Sequence, residues 1–171
     1  MDYRIASVTE VDDKPAFEEL LTEYYSIVFH KLALVGGYAK MEPNEMASSV
    51  MAKTQAFLPP TGRLVLAYSA QNRLVGCGTL QQARSDAGEL KRLYVRPEAA
   101  GNRLGRALVD ARMEAAREMG WRTLLLNTVK GNQDMLRIYE NLGFRFIDRY
   151  PECSDPIELT DYFDYMQFDF F

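Results

Sequence analysis

The chain has 171 residues, 47% of them hydrophobic and 26% charged, with a formal net charge of −4 and a pI of about 5.1. That length suits a single domain, residues 1–171, able to bury a core, and the acidic balance excludes a general nucleic-acid surface. Two cysteines and one histidine are too few for a disulfide framework or a zinc centre. With no charged-then-apolar leader and no apolar run of about 18 residues, the expectation is a cytoplasmic protein with no membrane partner and no metal.

Tyr3 to Val8 alternates as a first strand. Asp12, Asp13 and Pro15 then open a helix, since Asp accepts from free backbone amides and Pro fits a first turn. Phe17, Leu20, Leu21, Tyr24, Val28, Leu32 and Val35 recur at helical spacing until Gly36–Gly37. Asn44 is expected to cap a shorter helix with Met46, Val50 and Phe57 inward, stopped by Pro59–Pro60. Leu64 to Ala70 and Arg73 to Gln81 read as a hairpin turning through Gln71–Asn72. Glu89 to Val95 is the next strand, followed by a helix marked by Leu104, Leu108, Ala111, Ala115 and Met119 and closed by Gly120. Thr123 to Val129 is apolar enough to be a strand buried on both faces. Met135, Ile138, Tyr139 and Leu142 define a last helix stopped by Gly143, and Phe144 to Arg149 and Tyr162 to Phe168 close the sheet. The order predicts an α/β (α+β) fold with a mixed sheet.

Ala100-Gly101-Asn102-Arg103-Leu104-Gly105 lies between a strand end and a helix start. Amides of such a turn point outward, and the helix N-terminus adds positive potential, an arrangement that suits pyrophosphate oxygens. Gly105 permits close backbone approach, and Arg103, Arg106 and Lys130 could meet outer phosphates, the alternative being a plain strand-to-helix turn with solvated arginines.

The next helix carries Asn132, Tyr139, Gly143 and Phe144 at the spacing of a second motif. Here the chain resembles the GNAT superfamily, the acetyl-CoA-dependent N-acetyltransferases. Its members carry a Gln/Arg-x-x-Gly-x-Gly/Ala turn after the fourth strand and later this Asn…Tyr…Gly-Phe pattern, and the strand Glu89-Leu-Lys-Arg-Leu-Tyr-Val95 is also typical. The likeness is close over the C-terminal half and holds by element order elsewhere. Two positions depart: Ala100 stands where Gln or Arg is usual, and Arg103 where the first motif glycine is usual, which requires an ordinary helical φ at Arg103.

The resemblance implies a mostly antiparallel central sheet of about seven strands flanked by about four helices. It implies direct acetyl transfer from acetyl-CoA to a primary amine, with a small amine or amino acid-like acceptor. A protein N-terminus or lysine is the alternative acceptor, and a non-catalytic acyl-CoA sensor the alternative from another class. Tyr139 takes the position of the acid that protonates the departing thiolate. Glu89 takes the position of a general base, and strand alternation places it on the face of Val95. Leu93, Tyr94 and Val95 would pair with the pantetheine arm, with the Val95 amide as oxyanion donor, while residues Ala100, Gly101, Asn102, Arg103, Leu104, Gly105 and Arg106 would hold the pyrophosphate. Asn132 would contact the cofactor and serve as an N-cap. Lys91 and Arg92 could receive an acceptor carboxylate or pair with Glu89, and Tyr24, Tyr25, Tyr38, Tyr150 and Tyr162 could line an acceptor pocket. Homodimers are common in the family.

Overall fold

The computed structural model describes residues 2–171. Seven strands form one sheet in the order β1-β2-β3-β4-β5-β7-β6: β1 (Tyr3–Val8), β2 (Gly62–Ser69), β3 (Leu74–Arg84), β4 (Ala87–Val95), β5 (Thr123–Val129), β6 (Arg145–Ile147) and β7 (Phe163–Asp169). All neighbours are antiparallel except β4 and β5. Four α-helices join them among the described residues: α1 (Lys14–Leu34), α2 (Pro43–Met51), α3 (Leu104–Glu118) and α4 (Gln133–Leu142). None of these helices is long and apolar enough to cross a membrane.

The helix punctuation follows the residue types. Asp13 accepts from the Ala16 amide at 3.0 Å to start α1, and Gly36 leaves it with φ +92. The second helix departs from the expected cap. Glu42, not Asn44, is its N-cap, and a reciprocal box with Glu45 satisfies the first amides. Asn44 lies inside that helix, which ends at Met51; Phe57 belongs to a separate 3-10 turn, Thr54–Phe57, and still reaches the core.

One sheet face packs α1 and α2 through Phe17, Leu20, Leu21 and Val50 against Leu64, Leu66 and Cys77. The other packs α3 and α4 through Val109, Met113, Ala116 and Leu136 against Leu80, Leu90, Leu124 and Leu126. Leu125 is covered on the opposite side by Tyr150 and Tyr165, so β5 is enclosed on both faces as its composition predicts.

Two irregularities in β4 decide the functional geometry. First, it pairs with β5 only at Ala87–Glu89, after which the two strands separate. Second, a bulge places Thr79 opposite Lys91 and Cys77 opposite Tyr94, so that Arg92 and Leu93 together face Gly78. Arg92 adopts φ 54 there. The extra residue reverses the alternation beyond it. Glu89, Lys91 and Tyr94 share one face, and the expectation that Glu89 shares the face of Val95 is overturned.

Candidate active site

Where β4 and β5 part, a cavity of about 680 Å³ opens between them. Lys91, Arg92 and Leu93 line it from β4, Asn127 to Val129 from β5, and Tyr139 from α4. Helix α1 supplies Tyr24, Tyr25 and Phe29 as an aromatic wall. Of the tyrosines considered for such a wall, Tyr38 also lines it, whereas Tyr150 and Tyr162 do not.

Tyr139 is 5% exposed, and its ring meets Phe144 edge-on at 5.3 Å. Burial pushes its phenol above the usual tyrosine range, and the neighbouring Arg112 guanidinium pulls the other way without cancelling the rise. The hydroxyl therefore keeps its proton at neutral pH.

Arg112, beside Tyr139, is a buried cation that the sequence does not single out. It is fully buried. Its Nε donates to the Leu108 carbonyl at 3.0 Å, and its Nη1 to the carbonyls of Thr79 at 3.0 Å and of Lys91 at 3.1 Å, on either side of the bulge. Nη2 completes no hydrogen bond of ordinary geometry, Tyr139 lies beside the guanidinium, and among the described residues no carboxylate pairs with the charge. Gly78 makes the space, since a Cβ there would stand 2.6 Å from Arg112 Nε. The signal was a cation four residues from both Leu108 and Ala116 on the apolar stripe of α3, opposite a mid-strand glycine.

Glu89 is 3% exposed and lies outside the cavity lining. Its carboxylate accepts from Tyr150 Oη at 2.5 Å and from Gln81 Nε2 at 3.2 Å, and pairs with Lys91 Nζ at 3.4 Å. Lys91 stands between it and the cavity, and also reaches Ser154 Oγ at 3.3 Å and Asp155 at 4.0 Å. Ser154 and Asp155 lie far along the chain and join the wall only through the fold.

Leu93 faces the cavity, but Tyr94 turns its hydroxyl to Glu23 at 3.1 Å, and Val95 packs with Leu104 and Leu108. Burial and Glu23 raise the Tyr94 phenol to about 12. Asn132 occupies the N-cap position of α4 without capping it. Its Oδ1 instead accepts from Lys31 Nζ at 2.9 Å and its Nδ2 donates to Thr128 Oγ1 at 2.9 Å, on the cavity wall.

The turn Ala100 to Gly105 lies beyond the end of β4 and runs straight into the 15-residue α3. Gly101 has φ +82, and Asn102 Nδ2 donates to the Ala99 carbonyl at 3.0 Å. Arg103 does not take an ordinary helical φ: it sits left-handed at φ 58, ψ 17. The turn thus keeps the shape a glycine would give it, at a steric cost of about 1–2 kcal/mol to the residue that replaces it. Arg103→Gly is expected to stabilise the fold by about 1 kcal/mol net of glycine's chain entropy, raising Tm by about 2–4 °C in a thermal melt. Arg106 is tied to Asp110 at 2.8 Å. Among the described residues no cluster of three His, Cys, Asp or Glu could hold a metal.

Residues 15–144 match the model of the acetyltransferase (GNAT) family. The chain belongs to that family. Among its relatives are an uncharacterized N-acetyltransferase of Escherichia coli, YjgM, 34% identical over 48% of this chain and 50% of its own length, and the IAA acetyltransferase of Azospirillum brasilense, 31% identical over 66% and 74%. An uncharacterized N-acetyltransferase of Schizosaccharomyces pombe is 30% identical over 54% of this chain and 57% of its own length, so the match spans little more than half of two of these relatives. The GNAT fold extends further than the sequence identity. The PaiA N-acetyltransferase of Thermoplasma acidophilum, solved in complex with coenzyme A, superimposes with a TM-score of 0.69 at 17% identity, over 99% of this chain and 100% of that one. An acetyltransferase of Streptococcus agalactiae gives 0.73 at 20% identity, over 98% of each.

Proposed function

We propose that the protein is an N-acetyltransferase that moves the acetyl group of acetyl-CoA directly to the primary amine of a small acceptor. The observation that carries this reading is the parting of β4 from β5 with a protonated, buried tyrosine on the cleft wall. Beyond Glu89 the edge of β4 has no partner in β5, which suits an extended amide-bearing arm added as a further strand. At the end of that edge, the outward turn and the start of α3 suit a pyrophosphate, with Arg103 exposed on the turn. The residues present therefore fit acetyl-CoA, and Leu93, Val95 and the backbone of Ala100 to Gly105 are the groups proposed to hold it.

Acetyl-CoA supplies a thioester whose acetyl group passes to an amine as the carbon–sulfur bond breaks. The protein has to supply a neutral amine, charge stabilisation at the carbonyl and a proton for the leaving sulfur. The Tyr139 hydroxyl is the proton donor. The acceptor reacts as its neutral amine, the ammonium proton leaving to water, since Lys91 at the cavity wall is already paired with Glu89 and Asp155. Glu89 serves as base only at second hand, because Lys91 and Tyr150 stand between its carboxylate and the cleft. A small acceptor is supported by the cavity's rim, where Lys40 and Glu158 join at 2.8 Å.

The test is a thermal-shift titration with acetyl-CoA, followed by thiol release over a panel of amines. Saturation at about 100 times the dissociation constant is expected to add about 2.7 kcal/mol to stability. No shift at millimolar acetyl-CoA would remove the cofactor and, with it, the enzyme reading.

A further inference from the structure

We infer that the acceptor carries a carboxylate as well as its amine, and that Arg92 is the residue that binds it. The inference rests on the reading of the cavity as the acceptor site of an acetyltransferase.

Arg92 is held in place but not neutralised. At the bulge its Nε donates to Tyr25 Oη at 3.1 Å and its Nη1 to Thr79 Oγ1 at 3.2 Å, and its guanidinium carbon lies 5.3 Å from the centre of the Phe57 ring. These partners orient a charge without balancing it. The neighbouring cations are balanced differently: Lys91 has Glu89 and Asp155, Lys40 has Glu158, and Arg96 has Glu23 and Glu19. No carboxylate pairs with Arg92 among the described residues. Lys53, the other cation of the lining without an ion pair, is exposed to water, whereas Arg92 is partly buried between aromatic rings.

A half-buried guanidinium with a free edge is the donor geometry that a carboxylate accepts in a two-point bond, and loss of water around it strengthens that bond. The left-handed backbone at Arg92 is unfavourable for a side chain bearing a Cβ, and it is this backbone that delivers the guanidinium to the cavity. The wider charge agrees. Four basic and two acidic side chains line the cavity and Glu89 pairs with Lys91 from behind its wall, which leaves a formal surplus of one positive charge in a chain of net charge −4. Such a site repels a polyamine and draws a zwitterion. Tyr24, Phe29, Leu32 and Val50 make the remaining wall apolar, which matches an α-amino acid with an apolar side chain.

Calorimetric titration in the presence of coenzyme A tests this with matched pairs that differ only in the carboxylate: phenylalanine and phenethylamine, leucine and isopentylamine, methionine and 3-(methylthio)propylamine. At least one amino acid is expected to bind about 10–100-fold more tightly than its amine, the scale of a charged hydrogen-bonded contact. Arg92→Met should erase that preference and Arg92→Lys retain part of it. Arg92→Gly, which accepts the positive φ, gives the same comparison if the methionine variant does not fold. The inference is overturned if no amino acid binds better than its amine, or if the preference survives in Arg92→Met and Arg92→Gly. Thiol release measured on the same pairs separates it from the acetyltransferase reading. Acid-selective binding without acetylation would sink the enzyme and leave the subsite, and equal acetylation of acids and amines would do the reverse.

Discussion

Tyr139→Phe is expected to lower kcat by about 100-fold or more while leaving the affinity for acetyl-CoA unchanged, because it removes one proton from the cleft wall and keeps the ring. The ring keeps its packing, the edge-on contact with Phe144 included, and the variant gives up only the hydroxyl's approach to Arg112, so a small change in Tm is expected. The pH profile sharpens the test. Burial holds the Tyr139 phenol above the ordinary tyrosine value, and Arg112 only moderates this. An acid with a raised pKa is present throughout the range below it and is lost only above it. Wild-type kcat/KM is therefore expected to rise with pH as the amine loses its proton, then to level off, with no descending limb below about pH 10. A Tyr139→Phe enzyme that keeps full kcat would refute the proton-donor role.

Arg112→Met is expected to separate stability from activity. A buried guanidinium without a carboxylate is costly, and relief of that cost offsets the loss of its bonds to the Leu108, Thr79 and Lys91 carbonyls, so stability is expected to change by no more than about 2 kcal/mol. Activity should nevertheless fall by about tenfold or more. The bulge loses the donor that joins the Thr79 and Lys91 carbonyls, and Tyr139 loses the charge that restrains its pKa. If that effect runs through Tyr139, adding Arg112→Met to Tyr139→Phe should cost little more, which a double-mutant cycle measures. A fall in Tm of about 8 °C or more would instead show that the bonds to the bulge carbonyls outweigh the desolvation of the charge. Equal losses in both backgrounds would confine Arg112 to supporting the strand.

Arg112 and Arg92 also mark the boundary between what local sequence decides and what it does not. The strand Thr123–Val129 was legible to the residue, because an apolar run between Gly120 and Gly131 admits few other structures. The place of Tyr139 on α4 and the start of α3 at Leu104 were legible because each depends on residues within one helix. The errors arose where distant chain segments meet. Alternation along β4 failed at the bulge, since a single extra residue in one strand is set by its pairing with β3 and not by its own composition. Asn132 has the residue type and position of a cap, but a lysine 101 positions earlier competes for its side chain. Arg103 keeps a glycine's backbone because the turn between β4 and α3 has little room to change shape, and a local steric preference of about 1–2 kcal/mol yields to the packing on either side. The sequence by itself determined the order of the elements, the family and the place of Tyr139 on the last helix, all of which rest on short-range spacing. Only the tertiary structure decided which charges stand at the cleft. Burial, ion pairing and the parting of two strands depend on contacts between residues far apart in the chain, and these left Glu89 behind Lys91, brought Asp155 forward and kept Arg92 without a carboxylate.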